Sequence, residues 1–467
     1  MRLILLSGGS GKRLWPLSND LRSKQFIKSR QKGEPESAPP TSMIQRVWEK
    51  LGRHGLQHRS VIAAGLTQQS LIQTQLGACV PLVLEPVRRD TFPAVALATL
   101  HLRAEGAAAE EIAVVMPVDA EAGDGFYEAI RELGERMEGA GCEIGLIGRL
   151  PTEASDKYGY LLPGEAIGKE PRMRQVTAFI EKPPAVEAER LIRQGAWWNC
   201  GVFAFRLGYV EALLREAGLP ASYEELLDVY EQLEPISFDY RVVERAASVA
   251  VLPYEGPWRD LGTWNEWTET MPGQLVGPGL LGQDCDGTHV INELQIPIVV
   301  SGIRDAVVAA SPDGILVTDK RSSTGLKGIV SELDGRAMYE ETSYGWYRVI
   351  DMERTSLGHA LTKRLHLRAG REIASHRHRL RDEVWTFLCG EAEIVLDGQV
   401  FRVAAGDSVH FRAGAWHAVR ALEHVDAIEV QSGSAVSEDD IEYETSRGTP
   451  SPLFGGKREG GRPWTET

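Results

Sequence analysis

The chain has 467 residues, more than one hydrophobic core usually serves, so two or more domains are expected. Hydrophobic residues at 43% and charged residues at 25% exclude wholesale disorder. A formal charge of -15 excludes bulk attraction to nucleic acid, so an anionic ligand must be caught by a local cluster of cations and amides, which suits small phosphorylated substrates.

Leu3 to Leu6 reads as a buried strand that breaks into the glycine cluster of "SGGSGKRLWPLS". A Walker A loop fails at both ends, because Leu6 stands at its first glycine and Arg13 at its hydroxyl residue. A dinucleotide fingerprint fails at Leu14, where its third glycine belongs. What remains is a glycine loop, from Leu6 through Gly8, Gly9, Gly11 and Lys12, whose backbone N–H groups can point at a polyphosphate, with Arg13 and Lys24 as cations near it. Residues 31–40, "QKGEPESAPP", read as a surface loop.

"RSVIAAG" and "EIAVVMPVDA" repeat the strand pattern, and "PAVALATLHLRAEG" between them is helical. Such alternation predicts an α/β domain over residues 1–270, with a mostly parallel sheet, helices on both faces and ligands at the carboxyl ends of the strands. From about 280 to 335 short strand-like runs punctuated by Gly, Pro and Asp predict a β-rich connector. Residues 345–435 read as all-β, with turn signals at Asp397-Gly398 and Ala405-Gly406-Asp407, hence a β-barrel or jelly roll. Residues 446–467, rich in Gly, Pro and charge, are expected to be a flexible tail. Five scattered cysteines without CxxC spacing point to a reducing cytoplasm, and no apolar stretch is long enough to predict export or membrane insertion.

"GGSGKRLWPLS" followed by "SKQF" resembles the signature of sugar nucleotidyltransferases, and its Leu-Trp-Pro-Leu-Ser and Lys-Gln-Phe portions resemble the mannose-1-phosphate guanylyltransferase branch. The resemblance implies a Rossmann-like nucleotide-diphospho-sugar transferase domain taking GTP and a sugar 1-phosphate, with Arg13, Lys24, Asp119 and Asp260 catalytic. Ser23 stands where the family usually has proline, which predicts a less stiff loop. "LEPVRRDTFPA" resembles the base-recognition segment: Glu85 would accept from guanine N1–H and N2–H₂, beside Arg89, Asp90 and Thr91, with Asp90 in place of the family's Asn. "MPVDAE" and "PWRDLGTW" supply Asp119 and Asp260 as the family's Mg²⁺ ligands, a usual histidine after the first being Ala120 here.

"YGYL", "FIEKP" and "WWNCGVF" resemble the sugar-phosphate site. In that register Tyr158, Glu181 and Asn199 contact the sugar, Lys182 its phosphate, and Gly159 and Gly201 give backbone access. "PISFDYRVVE" adds Asp239 as a sugar contact, with helix capping as its competing role.

"GREIASHRHRLRDEVWTFLCG" reads G-x5-H-x-H-x4-E-x6-G, the first cupin motif, and "GDSVHFRAGAWH" matches the second except for Arg412 at its proline. Alternation puts His376 and His378 on one face of a strand, with Glu383 and His417 arriving from neighbouring strands. Three imidazoles and a carboxylate suit Zn²⁺, Mn²⁺, Fe²⁺ or Co²⁺ alike.

A transferase followed by a cupin, ending in "EVQSG" and "SEDDI", resembles the bifunctional mannose-1-phosphate guanylyltransferase and type II mannose-6-phosphate isomerase family. The family has Gln where His376 stands, a His triplet at His378, Arg379 and Leu380, and His at Val384; its Tyr-Gly-Arg segment is replaced by "EYETSRGTPSP". An intact metal set with an altered substrate-facing set predicts weak, altered or absent isomerase activity. The expected function is synthesis of GDP-mannose and pyrophosphate from GTP and mannose 1-phosphate. The alternatives are a bifunctional isomerase, another sugar or nucleotide, or a non-catalytic sugar-nucleotide sensor. No nucleic-acid or membrane partner is expected, and a homo-oligomer is compatible with the chain.

Overall fold

The computed structural model describes residues 1–444 apart from Ser10, residues 168–169, Asp334 and Leu357; the tail expected at 446–467 lies outside the described residues. The chain divides into two compact units, the first taking Met1–Ile291, Ile298–Val308 and Val317–Glu332, the second Asn292–Pro297, Ala309–Leu316 and the chain from Leu333.

The strands of the α/β part are β1 (Arg2–Leu6), β2 (Ser60–Gly65), β3 (Leu82–Glu85), β4 (Ile112–Pro117), β5 (Ala120–Ala122), β6 (Ile144–Arg149), β7 (Tyr160–Ile167), β8 (Glu170–Ile180), β9 (Trp197–Arg206), β10 (Val249–Tyr254) and β11 (Trp258–Asp260). All but β5 and β11 form one nine-stranded sheet in the order β3-β2-β1-β4-β9-β6-β10-β8-β7. β1 to β4 are mutually parallel, as the strand–helix alternation predicts. β9 runs antiparallel to both β4 and β6, and β7 and β8 pair antiparallel, so the sheet is mixed rather than mostly parallel. Parallel partners need a crossover, which helices supply between β1 and β4, whereas β7 passes directly into β8 and can only fold back on it.

Helices cover both faces. Leu3 and Leu5 of β1 point toward the helices Met43–Arg53 and Asp124–Ala140, meeting Ile44, Val47, Phe126 and Ile130; Ile4 points the other way, toward the helix Thr91–Ala104. That last helix is buried along nearly its whole length, which is why its sequence is apolar all round. β5 and β11 form a separate antiparallel ribbon, Asp260 opposite Ala120, at the carboxyl end of β4.

Between Leu275 and Asp319 six short strands make a four-stranded and a two-stranded sheet, followed by the helix Leu326–Val330. The second unit holds a six-stranded and a five-stranded sheet enclosing a core of Leu361, Leu365, Trp385, Phe387, Ile394 and Phe411, the jelly-roll arrangement of a cupin. Asp397-Gly398 makes a two-residue turn, both residues at positive φ, between the strands Ala392–Leu396 and Gln399–Val403.

Candidate functional site

Gly8, Gly9, Arg13, Lys24, Asp119 and Asp260, with Ser23 and Gln25, line a cavity of about 190 Å³ beyond the carboxyl end of β1. The ribbon register is what brings Asp260 beside Asp119, from residues 141 positions apart in sequence (260 less 119). Lys24 Nζ sits between them, 2.9 Å from Asp119 Oδ2 and 2.9 Å from Asp260 Oδ1. Burial alone would lower the lysine's pKa; the two carboxylates outweigh it and raise it, while Lys24 holds Asp260 below the usual carboxylate range despite its own burial. Lys12 lies outside this cavity lining, with its ammonium 4.0 Å from Asp20.

The loop is pinned rather than slack. Ser23 Oγ donates to the Gly9 carbonyl at 3.1 Å and accepts from Gln68 Nε2 at 3.1 Å, and Gln25 Nε2 donates to the Ser7 carbonyl at 2.6 Å. The hydroxyl at the family's proline position therefore supplies a tether, which corrects the expectation of a looser loop.

Glu85, at the end of β3, is buried and accepts from the Tyr230 hydroxyl at 2.7 Å. Asp90 has φ 65° and its carboxylate caps the helix Thr91–Ala104 by accepting from Thr91 N at 2.7 Å. Both duties suit Asn and Asp alike, so the exchange preserves the local structure. Thr91 Oγ1 accepts from Phe238 N at 2.8 Å, and Arg89 donates to the Glu231 carbonyl.

The residues expected at the sugar converge. Asn199 N donates to the Gly159 carbonyl at 2.8 Å, Asn199 Nδ2 to Asp239 Oδ1 at 3.0 Å, and Gly201 N to Asn199 Oδ1 at 3.1 Å. Lys182 pairs with Glu181, and Tyr158 packs its ring against Trp198 and Trp258. A Cβ on Gly159 would lie 2.5 Å from Glu181 Oε2, so glycine is required for that carboxylate to sit there. Burial, and then neighbouring Glu181, push the Asp239 carboxyl up to about 7, against the pull of Lys182.

In the second unit His376, His378 and His417 gather their ring nitrogens within 4.8 Å of one another, all three buried. Each Nδ1 faces a backbone carbonyl, of Ala374 at 2.8 Å, Asp440 at 2.5 Å and Ala415 at 3.1 Å. A carbonyl can only accept, so each Nδ1 carries a proton, which leaves the Nε2 atoms to face the cluster; His417 Nε2 is buried without a hydrogen-bond partner. Glu383 stands 2.9 Å from His378 Nε2 and 3.7 Å from His417 Nε2, but its oxygens also accept from Arg381 Nε, Gln431 Nε2 and Trp385 Nε1. Val384, taken from sequence as part of the altered substrate-facing set, is 38% exposed while Trp385 beside it is buried, so strand alternation turns it away from the histidines. Arg379 is likewise at the surface, paired with Glu442.

The family model described as nucleotidyl transferase matches residues 2–275. The chain belongs to the nucleotidyl transferase family. A second model, mannose-6-phosphate isomerase C-terminal, matches residues 336–444 of this nucleotidyl transferase. Mannose-1-phosphate guanylyltransferase of Escherichia coli (strain K12) is 28% identical to it, covering 94% of this chain and 96% of its own. The alginate biosynthesis protein AlgA of Pseudomonas aeruginosa is 27% identical, over 94% of this chain and 95% of its own. Among solved structures, the mannose-1-phosphate geranyltransferase of Thermus thermophilus is 28% identical with a TM-score of 0.57, covering 72% of this chain and 99% of that one.

For a nucleotidyl transferase the cavity offers cations opposed to carboxylates, an arrangement that suits offsetting the charge of approaching phosphates. Tyr230, Gln68 and Arg381 escape sequence reading, because each acts on a residue distant in sequence or buried by the fold. Gln25 and Gln431 were legible inside "SKQF" and "EVQSG", but only as letters of a signature.

Proposed function

We propose that the protein makes GDP-mannose and pyrophosphate from GTP and mannose 1-phosphate. The observation that carries this reading is Lys24 at 2.9 Å from both Asp119 and Asp260 in the phosphate cavity, with Arg13 on its lining; relatives named for that reaction along nearly the whole chain support it. A phosphate oxygen of the sugar 1-phosphate forms a bond to the α-phosphorus of GTP as the α–β bridging P–O bond breaks, and pyrophosphate leaves with the electron pair. Arg13 and Lys24 offset the negative charge that two approaching phosphates bring together, Lys182 holds the sugar phosphate, and Glu181, Asn199 and Asp239 orient the sugar hydroxyls.

Two carboxylates converging on one ammonium form a donor set that also fits a hard divalent cation, so Asp119 and Asp260 would hold Mg²⁺. When bound it supplies charge neutralisation at the reacting phosphates. The convergent imidazoles and the orphan His417 Nε2 fit a divalent transition metal, with Glu383 beside them. Isomerase activity there is read as weak, altered or absent, because Arg379 and Leu380 stand where the family has histidines and "EYETSRGTPSP" stands where it has its Tyr-Gly-Arg segment. All five cysteines are free, which supports a cytoplasmic placement; no helix among the described residues is long and apolar enough to cross a membrane.

The deciding experiment is pyrophosphate release with Mg²⁺ over a panel of nucleoside triphosphates and sugar 1-phosphates. GTP with mannose 1-phosphate is expected to give the highest kcat/KM; binding without turnover on every pair would make the protein a sensor instead. Arg13→Ala or Asp260→Ala should abolish release while the thermal melt stays close to wild type, and unchanged turnover in either would defeat the assignment. Ready conversion of fructose 6-phosphate to mannose 6-phosphate by the metal-loaded protein would overturn the statement on the cupin.

A further inference from the structure

A carboxylate buried as deeply as Glu85, 5% exposed, is costly unless donors meet it. The donor is Tyr230, fully buried, with its hydroxyl 2.7 Å from Glu85 Oε2. Tyr230 opens the short 3-10 turn Tyr230–Gln232, which belongs to none of the signature segments. Three further bonds lace the same two stretches together: Arg89 to the Glu231 carbonyl, Phe238 N to Thr91 Oγ1 at 2.8 Å, and Phe92 N to the Ile236 carbonyl at 3.1 Å. The stretch after Tyr230 thus fixes the whole segment from Glu85 to Phe92, and Tyr230 is its contact with the one group suited to read a base edge.

We propose that Tyr230 is the positioning residue for nucleotide selection, its hydroxyl fixing the Glu85 carboxylate as a purely accepting group turned to the N1–H and N2–H₂ edge of guanine. The proposal rests on the reading of Glu85 as the base contact. Its physical content lies in what a carboxyl group becomes when that hydroxyl is removed. An ionised carboxylate only accepts, which complements guanine. A protonated one donates through O–H and accepts through C=O, which complements adenine N1 and its N6 amino group. Burial pushes the Glu85 carboxyl up, and Asp90 adds to this; the Tyr230 hydroxyl and Arg88 oppose it, with Arg89 nearby on the tyrosine. Taking away the hydroxyl removes a donor that favours the accepting form.

The test compares wild type, Tyr230→Phe and Glu85→Gln, measuring kcat and KM for GTP and for ATP with mannose 1-phosphate between pH 6 and pH 8.5. Phe deletes one oxygen and keeps the ring. Tyr230→Phe is expected to keep kcat with GTP and raise its KM about tenfold, the scale of one hydrogen bond to a charged group. That rise should grow as pH falls, while KM for ATP stays level or drops. Glu85→Gln is expected to narrow the preference for GTP equally at every pH. Equal changes for GTP and ATP in Tyr230→Phe, or a KM for GTP that does not respond to pH, overturn the proposal. Loss of folded Tyr230→Phe protein assigns the hydroxyl to stability and overturns it too. If Glu85→Gln leaves the preference for GTP intact, the reading of Glu85 fails; if Glu85→Gln narrows it and Tyr230→Phe does not, only the role of Tyr230 fails.

Discussion

Asp239 shows how a single side chain reports its surroundings. Its folded pKa is raised to about 7 from 3.8 by burial and Glu181. Below the unfolded value both states are protonated and the group contributes nothing; as pH climbs through the interval the unfolded state releases its proton first, so stability falls until the folded group ionises as well. Asp239→Asn removes this liability. The melting temperature of the variant relative to wild type should therefore increase from pH 4.5 to pH 8, and a difference that does not change with pH would show that Asp239 ionises normally. In sequence Asp239 is equally readable as a helix cap or a sugar contact; in the structure it accepts from Asn199 Nδ2 at 3.0 Å and lies beside Glu181, the residues proposed to orient the sugar. Lys24 was legible as a cation but not as one held between two carboxylates, since its partners arrive on the β5–β11 ribbon.

At the scale of elements, the phosphate loop and its neighbours form one tied unit. The loop's order depends on Ser23 Oγ reaching the Gly9 carbonyl, with Gln68 Nε2 behind it. Ser23→Ala should cost about 1 kcal/mol of stability, the net worth of a typical intramolecular hydrogen bond, and raise KM for GTP several-fold with little change in KM for mannose 1-phosphate. Chemical denaturation and steady-state kinetics check both halves; an equal rise in both KM values would place the effect outside the loop. Of the parallel strands, β1, β2 and β4 are readable as short apolar runs ending in loops, with the apolar helix Thr91–Ala104 between the last two. The antiparallel β9 is not, because a strand's apolar pattern records that both its faces are buried and not the direction of its neighbours.

At the scale of the whole molecule, the described residues include one cluster of carboxylates around an ammonium and one of imidazoles whose Nδ1 atoms face backbone carbonyls, the two proposed cation sites. The second makes a prediction independent of any substrate: protein purified with His417→Ala should lose the metal, from about one ion per chain to near none by elemental analysis, and melt at a lower temperature. Equal metal content in the variant would place any bound ion elsewhere. By itself the sequence determined the family, the order of the two folds and most of the residues that line the cavity or form the histidine cluster, because these depend on residue types at fixed local spacing. Only the tertiary structure decided which groups share a charge or a proton: Lys24 with Asp119 and Asp260, and Tyr230 with Glu85. Such pairings are set by strand register and burial between distant segments, and the free energy of a charge depends on them far more than on its neighbours in the chain.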